Sequence, residues 1–293
     1  MTPAPPDLGR VGVWTAELRF ATDDTGAVAD AGAELEELGY GSVWVPGGLD
    51  EPFDTVRTLL GATRRLVAAT GIVNVWGCAA PAAAAAHAEL TTTHPSRFLL
   101  GVGVSHAPLV DHDAPGRYRQ PLATMTRYLD ALDRAPVPVP KAERVIAALG
   151  PRMLALAAER AAGSHPYLVT PEQTLDARRR LGSGALLAPE QGVVLEADPG
   201  TARATARAAL GGYLGLPNYV NNWRRAGFSD DEFAGGGSDR LVDALVAWGP
   251  DDVIAGRIRE HHDAGADHVC LQVLGSGGRM PLHEWRRLAA VVM

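Results

Sequence analysis

The sequence predicts an α/β protein built as a (β/α)8 TIM barrel with insertion segments, and three observations support this prediction. Short apolar runs recur along the 293 residues, and eight of them are typical of strands that are buried on both faces. Helical patterns separate these runs, which favours parallel pairing. The stretch 143–171 has the pattern of a strand, a Gly-Pro turn, a helix and a second strand. A doubly wound open sheet is the alternative architecture.

The eight predicted strands leave room for a helix in each connection. In chain order they are VGVW (11–14), SVWV (42–45), VAATGIVNV (67–75), RFLLGVGV (97–104), RVIAAL (144–149), YLVT (167–170), GVVLEA (192–197) and HVCLQVL (268–274). Helices are predicted from about 52 to 65, from about 81 to 92, over 125–134, and from Pro151 and Pro171. Because barrels of this length commonly form one unit, we expect a single domain over 1–293.

Composition and charge narrow the class of partner. The chain is 46% hydrophobic and 21% charged, which is ordinary for a soluble globular protein. Its net charge of −7 argues against binding to nucleic acid or to an anionic membrane. The N-terminal residues are polar and Pro-rich, so we expect no secretion signal and a cytoplasmic protein. Cys78 and Cys270 fit a reducing compartment, since neither has a CxxC partner.

The turn at Gly150 is a candidate anion site. Gly150-Pro151 ends one strand pattern and opens a helix, and a helix N-terminus presents free N–H groups and a positive dipole end. Arg152 adds a charge in the first turn. We therefore expect a phosphorylated ligand here; a plain βα turn that binds nothing is the alternative. A glycine-rich run after the last strand, GSGGRM (275–280), competes for the same phosphate.

Three connections are longer than most connections in compact domains. They span 105–121, the Pro-rich 135–142, and 212–249. Long insertions in barrels often line the substrate cavity or form a subunit contact.

A cluster of His and Asp near the C-terminus resembles a metal site only in composition. It comprises His261, His262, Asp263, Asp267 and His268. Adjacent residues on a helix do not share a face, so we interpret the cluster as a solvated helix end and predict no metal.

Several segments in this order resemble the luciferase-like flavin and deazaflavin oxidoreductases. They are RFLLGVGVSH, AALGPRM with YLVTP, APEQGVVLEADP, DRLVDALVAWG and HHDAGADHVCLQVL. The resemblance covers most of the chain and is closest to the actinobacterial branch that uses coenzyme F420, a deazaflavin. It implies a bacterial luciferase-like (β/α)8 barrel, usually a homodimer, with the cofactor at the carboxyl ends of the strands.

The resemblance also implies which residues contact the cofactor ring. Gly71-Ile72 matches a bulge in the third strand that holds a non-prolyl cis peptide behind the deazaflavin ring. Val104, Ser105 and His106 match the segment after the fourth strand that borders cofactor and substrate. From its position, Asn74 either binds a ring edge or caps the backbone of the bulge.

The phosphate end and a further pocket residue are implied in the same way. Leu149, Gly150, Pro151 and Arg152 match the phosphate loop, and Thr170 matches a phosphate contact. Glu17 matches a polar pocket residue at the end of the first strand.

Two departures from the family pattern stand out. Alcohol- and sugar-oxidising relatives carry an Asp-His pair after the second strand, where this chain has Gly47-Gly48. Near Gln173 some relatives have a Lys that holds the phosphate, so Arg152 or Arg279 would have to replace it.

The resemblance implies an F420-dependent oxidoreductase that moves a hydride to or from a small organic substrate. His106 is the expected proton donor or acceptor, because imidazole titrates near neutral pH, with Glu17 as a second candidate. An FMN-dependent monooxygenase is the alternative on the same fold. A non-catalytic cofactor-binding relative also stays open because of Gly47-Gly48.

Overall fold

The computed structural model describes residues 5–20, 24–48, 50–112 and 115–293. All strand pairs of its sheet are parallel in this described part. The strands are Val11–Trp14 (β1), Ser42–Val45 (β2), Val67–Thr70 (β3), Val73–Asn74 (β4), Phe98–Gly103 (β5), Arg144–Ile146 (β6), Gly163–Ser164 (β7), Leu186–Leu187 (β8), Glu190–Val194 (β9), Val246–Trp248 (β10) and Val269–Val273 (β11).

The helices cover the outside of the sheet and fill the insertion between β9 and β10. They are Glu17–Phe20 (α1), Thr25–Glu37 (α2), Phe53–Ala62 (α3), Ala80–Thr93 (α4), Ala107–Val110 (α5), Pro121–Asp133 (α6), Pro151–Arg160 (α7), Pro171–Leu181 (α8), Pro199–Leu210 (α9), Pro217–Arg225 (α10), Asp239–Leu245 (α11), Asp251–Asp263 (α12) and Leu282–Val292 (α13). Two 3-10 helices span Lys141–Glu143 and Asp230–Gly236. None of the helices in the described residues has the length and hydropathy needed to cross a bilayer.

The sheet curls into a barrel, which confirms the predicted fold class. Its strand order runs β10-β9-β11-β1-β2-β3-β5-β6-β7-β8, with β4 also beside β5. The chain between β8 and β9 forms backbone hydrogen bonds to a strand on each side. The Ala188 N–H donates to the Ser164 carbonyl of β7, and the Cys270 N–H of β11 donates to the Pro189 carbonyl. This stretch joins the two ends of the sheet.

The interior of the barrel is filled by side chains from alternating strand positions. Trp44 is fully buried there, and Ala69, Leu99, Val145 and Cys270 pack in the same cluster. Filling this space removes the apolar surface from water, which stabilises the barrel by about 25 cal/mol per Å². The barrel interior is therefore a packed core, and the cavity described below lies at the carboxyl ends of its strands.

Two sequence predictions are corrected by the structure. YLVT (167–170) is not a strand; the sixth barrel position is the two-residue β7, and these residues lie in the loop after it. The interpretation of the His and Asp cluster as a solvated helix end is wrong for His261 and His268, which are buried. His261 bonds Thr174 Oγ1 (2.8 Å) and Gln191 Oε1 (2.9 Å), so its polar atoms are satisfied by neighbouring elements. Within the described residues, no three His, Cys, Asp or Glu side chains are placed to hold a metal ion.

Candidate active site

A cavity of about 490 Å³ opens at the carboxyl ends of the barrel strands. Its walls come from the segments after β1, β2, β3, β5, β6 and β7 and from the 212–249 insertion. This volume is in the range of small-molecule sites, and the carboxyl end of a barrel is where such sites form. The cavity is therefore the candidate active site.

The bulge between β3 and β4 forms the floor of the cavity. The Gly71-Ile72 peptide is cis, which confirms the sequence prediction. Trp14 Nε1 donates to the Gly71 carbonyl (2.8 Å), and the Gly71 N–H donates to the Val45 carbonyl (2.8 Å). The Gly47 N–H donates to the Ile72 carbonyl (2.9 Å). The bulge is thus held in place by both preceding strands of the barrel.

The loop after β2 has a steric reason for its two glycines. A Cβ on Gly47 would lie 2.5 Å from the Ile72 carbonyl oxygen and 3.0 Å from Val73 Cα. Gly48 has a φ of +61°, a conformation that favours glycine. The backbone of the bulge therefore occupies the space beside this loop. The described residues of the loop that line the cavity are Pro46, Gly47 and Gly48, and none of them has an acid–base side chain.

His106 lines the cavity at the start of α5, and Val104 and Ser105 line it beside the end of β5. The Asn218 side-chain amide donates to His106 Nδ1 (3.2 Å), and the Tyr219 ring lies with its centroid 5.4 Å from the imidazole. Burial lowers the pKa of His106. The imidazole is therefore neutral at pH 7.

Two further lining residues each have a buried polar atom that lacks a hydrogen-bond partner in the described part of the chain. Asn74 Oδ1 accepts from the Trp76 N–H (3.0 Å), which is the capping role, while its Nδ2 is unpartnered. His165 stacks on Trp44 at 4.2 Å and bonds the Ala188 carbonyl through Nδ1 (2.7 Å), while its Nε2 is unpartnered. Burial lowers the pKa of His165 to about 4, so its ring is neutral with the lone pair on Nε2.

Three tyrosines form one wall of the cavity. Ring centroids lie 5.5 Å apart for Tyr167 and Tyr213, and 5.1 Å apart for Tyr213 and Tyr219. The Tyr167 hydroxyl donates to Gln272 Oε1 (2.8 Å). Burial raises the pKa of all three hydroxyls, which keeps them protonated.

Glu190 lies near this wall but does not line the cavity. It is 1% exposed, and its Oε2 accepts from the Leu168 N–H (3.2 Å). Burial raises the pKa of Glu190 to about 8, so the carboxyl is protonated at neutral pH. When Glu190 is ionised, its negative charge raises the pKa values of all three tyrosines further.

The predicted helix start at Gly150 is confirmed, and a cation from the insertion lies beside it. Gly150 lines the cavity directly before α7 begins at Pro151. A Cβ on Gly150 would meet only Arg225 Nη2, at 4.0 Å. Arg225 Nη2 donates to Asn222 Oδ1 (2.8 Å), and within the described residues no carboxylate forms an ion pair with it. Gly150 and this guanidinium line the cavity together.

Arg152 and Pro151 line neither this cavity nor the second cavity that adjoins it, which is described below. Both are exposed on the first turn of α7, with Arg152 directed away from the lining. The physical reason is the helical turn itself, which rotates successive side chains by about 100°. Arg225, not Arg152, is thus the guanidinium next to Gly150.

A second cavity of about 610 Å³ adjoins the first at Leu149 and Arg225. Thr170 lines this second cavity and caps α8, because its Oγ1 accepts from the Gln173 N–H (3.4 Å). Gln173 Nε2 donates to the Asn222 carbonyl (3.0 Å), which ties α8 to the insertion.

Two sequence candidates lie outside both cavities. Glu17 accepts hydrogen bonds from Thr15 Oγ1 (2.8 Å) and Ser276 Oγ, which occupy its carboxylate. Arg279 pairs with Glu284, and its glycine-rich run 275–280 lines neither cavity. Roles for Glu17 and Arg279 therefore have no geometric support here.

Sequence reasoning missed the residues that the insertion brings to the site. The residues of this segment that line the cavity are Tyr213, Asn218, Tyr219, Asn221 and Arg225. The length of the connection 212–249 was the one sequence signal for them. His165 was missed because it follows a two-residue strand that has no apolar pattern.

Comparison with known proteins gives one family. The model for the luciferase-like monooxygenase family matches residues 9–268. No curated protein sequence matches the chain.

Solved structures share the fold at low identity. An F420-dependent secondary alcohol dehydrogenase in complex with an F420-acetone adduct has a TM-score of 0.71 at 14% identity, covering 97% of this chain and 99% of its own. The coenzyme F420-dependent tetrahydromethanopterin reductase from Methanopyrus kandleri has a TM-score of 0.73 at 16% identity, covering 99% of each chain. The oxygenating constituent of 3,6-diketocamphane monooxygenase from Pseudomonas putida, in complex with FMN, has a TM-score of 0.66 at 13% identity, covering 97% of this chain and 98% of its own.

Proposed function

The chain belongs to the luciferase-like monooxygenase family, and from this premise we propose that it is an F420-dependent oxidoreductase. It would transfer a hydride between the deazaflavin and a small organic substrate. The observation that carries the proposal is the cavity at the strand ends, with the Gly71-Ile72 bulge as its floor and the N-terminus of α7 at one edge.

The floor of the cavity suits a planar heterocycle with polar edges. Asn74 and His165 each line the cavity and have an unpartnered polar atom in the described structure, one a donor and one an acceptor. A buried polar atom without a partner costs about 1–3 kcal/mol, so a ring edge that bonds it would gain affinity. The deazaflavin, when bound, supplies a ring carbon that carries the hydride.

The edge of the cavity at Gly150 suits the phosphate of such a cofactor. The α7 N-terminus offers the positive end of a helix dipole, and Arg225 offers a charge that no ion pair neutralises in the described residues. Arg225 thus replaces the Lys that some relatives carry near Gln173.

The second cavity favours F420 over FMN. FMN ends at its phosphate, whereas F420 continues beyond it into an acidic tail. The second cavity begins where the phosphate would lie, at Leu149 and Arg225, and also contains Arg240. It therefore offers space for a continuing chain. Its guanidiniums, Arg225 and Arg240, are matched in number by the carboxylates of Glu172 and Asp176, and Arg240 also pairs with Glu232 (2.8 Å). The space, and not the charge, supports F420.

An FMN-dependent monooxygenase is the second candidate. The FMN-bound neighbour has this fold, and the Gly150 edge would hold the phosphate of either cofactor. FMN would leave the second cavity unused.

Equilibrium titration with three ligands tests the proposal. We expect F420 to bind at least tenfold more tightly than FMN, a difference of about 1.4 kcal/mol. The deazaflavin riboside without phosphate and tail should bind more weakly than F420. Equal or tighter binding of FMN would favour the monooxygenase, and binding of none of the three would exclude both candidates.

A further inference from the structure

The contact between Asn218 and His106 determines which imidazole nitrogen carries the proton. Asn218 Nδ2 lies 3.2 Å from His106 Nδ1. An amide nitrogen can only donate, so Nδ1 must accept and the proton of the neutral ring lies on Nε2. Asn218 is the second residue of α10, which holds it through the fully buried Trp223 of the same helix.

A neutral imidazole in this tautomer has one chemical use at the site. Its Nδ1 lone pair is engaged by Asn218, so the ring has no free lone pair to remove a proton from a substrate. Its Nε2–H can donate a hydrogen bond, and such a donor stabilises an oxygen that becomes negative.

The groups around His106 do not provide a base either. The titratable and charged residues of the described lining are His165, Arg225 and the tyrosines Tyr118, Tyr167, Tyr213 and Tyr219. The tyrosines are protonated, and no Asp or Glu is among the described lining residues. Glu190 is protonated near neutral pH. Among the described lining residues, the one ring nitrogen left as an unpartnered acceptor is His165 Nε2. It lies at the Gly71 bulge, where an added Cβ on Gly71 would approach it to 3.2 Å.

We propose that Asn218 is a positioning residue that fixes His106 as an Nε2–H donor, and that the site therefore reduces an uncharged conjugated carbonyl compound and does not oxidise an alcohol. The inference rests on the proposed function, because reduced deazaflavin is the reductant. It deepens that function by assigning its direction and its substrate class.

The step balances with one cofactor and one proton. A hydride from reduced deazaflavin forms a C–H bond at the β-carbon of the substrate, and the carbon–carbon π pair shifts to give an enolate. The enolate oxygen accepts the His106 Nε2–H bond while negative. A proton from water then adds at the α-carbon, so that the substrate gains two electrons and two hydrogens and the deazaflavin is oxidised. An uncharged substrate fits because Arg225, the one cation of the described lining, lies at the phosphate edge.

Long-range ¹H–¹⁵N correlation NMR of the cofactor-free protein tests the tautomer. Long-range ¹H–¹⁵N spectra distinguish Nδ1–H from Nε2–H, and the His106→Gln variant identifies the signal among the nine histidines. We expect Nε2–H in the wild type. In Asn218→Asp the carboxylate should accept from Nδ1–H, which reverses the tautomer and raises the His106 pKa by about 1 unit or more.

Asn221→Asp is the matched control, because it places the same charge on the same helix where the side-chain oxygen accepts from Arg224 instead (3.0 Å). We expect the Nε2–H tautomer to persist in this variant. An Nδ1–H tautomer in the wild type, or an unchanged tautomer in Asn218→Asp, overturns the positioning role.

Two turnover assays test the direction of hydride transfer. One combines cyclic enones with reduced F420, and the other combines secondary alcohols with oxidised F420. We expect turnover with the enones, slower by on the order of 10²-fold in Asn218→Asp, with the Kd for F420 within a few-fold of wild type. Turnover with alcohols alone overturns the inference but leaves hydride transfer by F420 intact. Failure to bind F420 overturns the proposed function itself, and the NMR result then reports on Asn218 independently.

Discussion

Gly47 lies so close to the cavity floor that a side chain there requires a shift of the backbone. Its added Cβ would overlap the Ile72 carbonyl oxygen at 2.5 Å. The same carbonyl accepts a hydrogen bond from the Gly47 N–H, so this bond depends on the close approach that a glycine permits. The residue therefore couples the loop after β2 to the bulge on which the cofactor ring is proposed to lie.

Gly47→Ala should destabilise the protein and weaken F420 binding. We expect the free energy of unfolding to fall by about 1–3 kcal/mol, as for other overpacked sites. Urea unfolding and F420 titration measure the two effects. Gly61→Ala is the control, because nothing lies within 4 Å of its added Cβ and alanine favours a helix by about 1 kcal/mol. Equal stability of the two variants would contradict the steric argument.

Arg225 and Arg152 differ in placement, and their alanine variants should differ in affinity. Arg225 faces the open space at Gly150, whereas Arg152 is exposed outside both cavities. Arg225→Ala should weaken F420 binding by about 1–2 kcal/mol, as expected for a charge-assisted contact. Arg152→Ala should leave the Kd within a few-fold. If Arg152→Ala alone weakens binding, the phosphate lies on the outer side of α7.

At the residue scale, the structure brings some of the sequence candidates to the cavity and leaves others outside it. Gly71-Ile72, His106 and Gly150 line the cavity, because each lies in or just after a predicted strand with an apolar pattern. Arg152 and Glu17 do not line it. Adjacency along the chain did not tell which way their side chains point.

Among the elements, five helices of the described residues begin at a proline, and the sequence predicted two of these starts. The first residues are Pro121, Pro151, Pro171, Pro199 and Pro217. Proline fits the first turn because its missing N–H has no partner there and its φ is already helical. The predicted starts at Pro151 and Pro171 are therefore confirmed.

The insertion helix α10 packs on the barrel through a buried aromatic side chain. Trp223 is fully buried, and its Nε1 donates to the Leu168 carbonyl (3.1 Å) in the loop after β7. Tyr219 and Phe233 pack against its ring at 5.8 and 5.9 Å. This helix also carries Asn218, so its attachment determines the geometry around His106.

Trp223→Ala should loosen the insertion more than the barrel. Truncating a buried Trp typically costs about 3–5 kcal/mol, and the nearest contacts lie in the insertion. Hydrogen–deuterium exchange should show protection lost over 212–245 with the barrel strands still protected. Trp285→Ala is the comparison, because Trp285 is equally buried but lies on α13 against the barrel. Loss of protection over the whole chain in Trp223→Ala would show that the insertion does not unfold separately.

At the scale of the whole molecule, the buried histidines and Glu190 make the stability of the fold depend on pH in opposite directions. Burial lowers the pKa of His165 to about 4 and of His261 and His268 to about 3. The unfolded chain binds these protons more readily, so stability is lost as the pH falls below about 6.5. For Glu190 the folded pKa is raised to about 8. The native state then binds the extra proton, so this contribution is lost as the pH rises towards 8.

Glu190→Gln isolates the second trend, because glutamine stays neutral in the same shape. The free energy of unfolding of the variant, minus that of the wild type, should grow by on the order of 1 kcal/mol per pH unit between about pH 5 and 8. The histidine contributions cancel in this difference. Urea unfolding at several pH values measures it, and a difference independent of pH would mean that Glu190 is ionised in the native state.

The sequence alone determined the alternation of strands and helices, the barrel, the cis bond at Gly71-Ile72 and the helix start at Gly150. Each depends on short-range physics or on an ordered family resemblance: apolar periodicity, proline geometry, or a motif within a few residues. Tertiary structure alone decided that Arg225 faces Gly150, that Asn218 bonds His106 across 112 positions of the chain, and that His261 is buried. The packing of the insertion onto the barrel brings these groups together, and such long-range approach leaves no periodic trace in the chain.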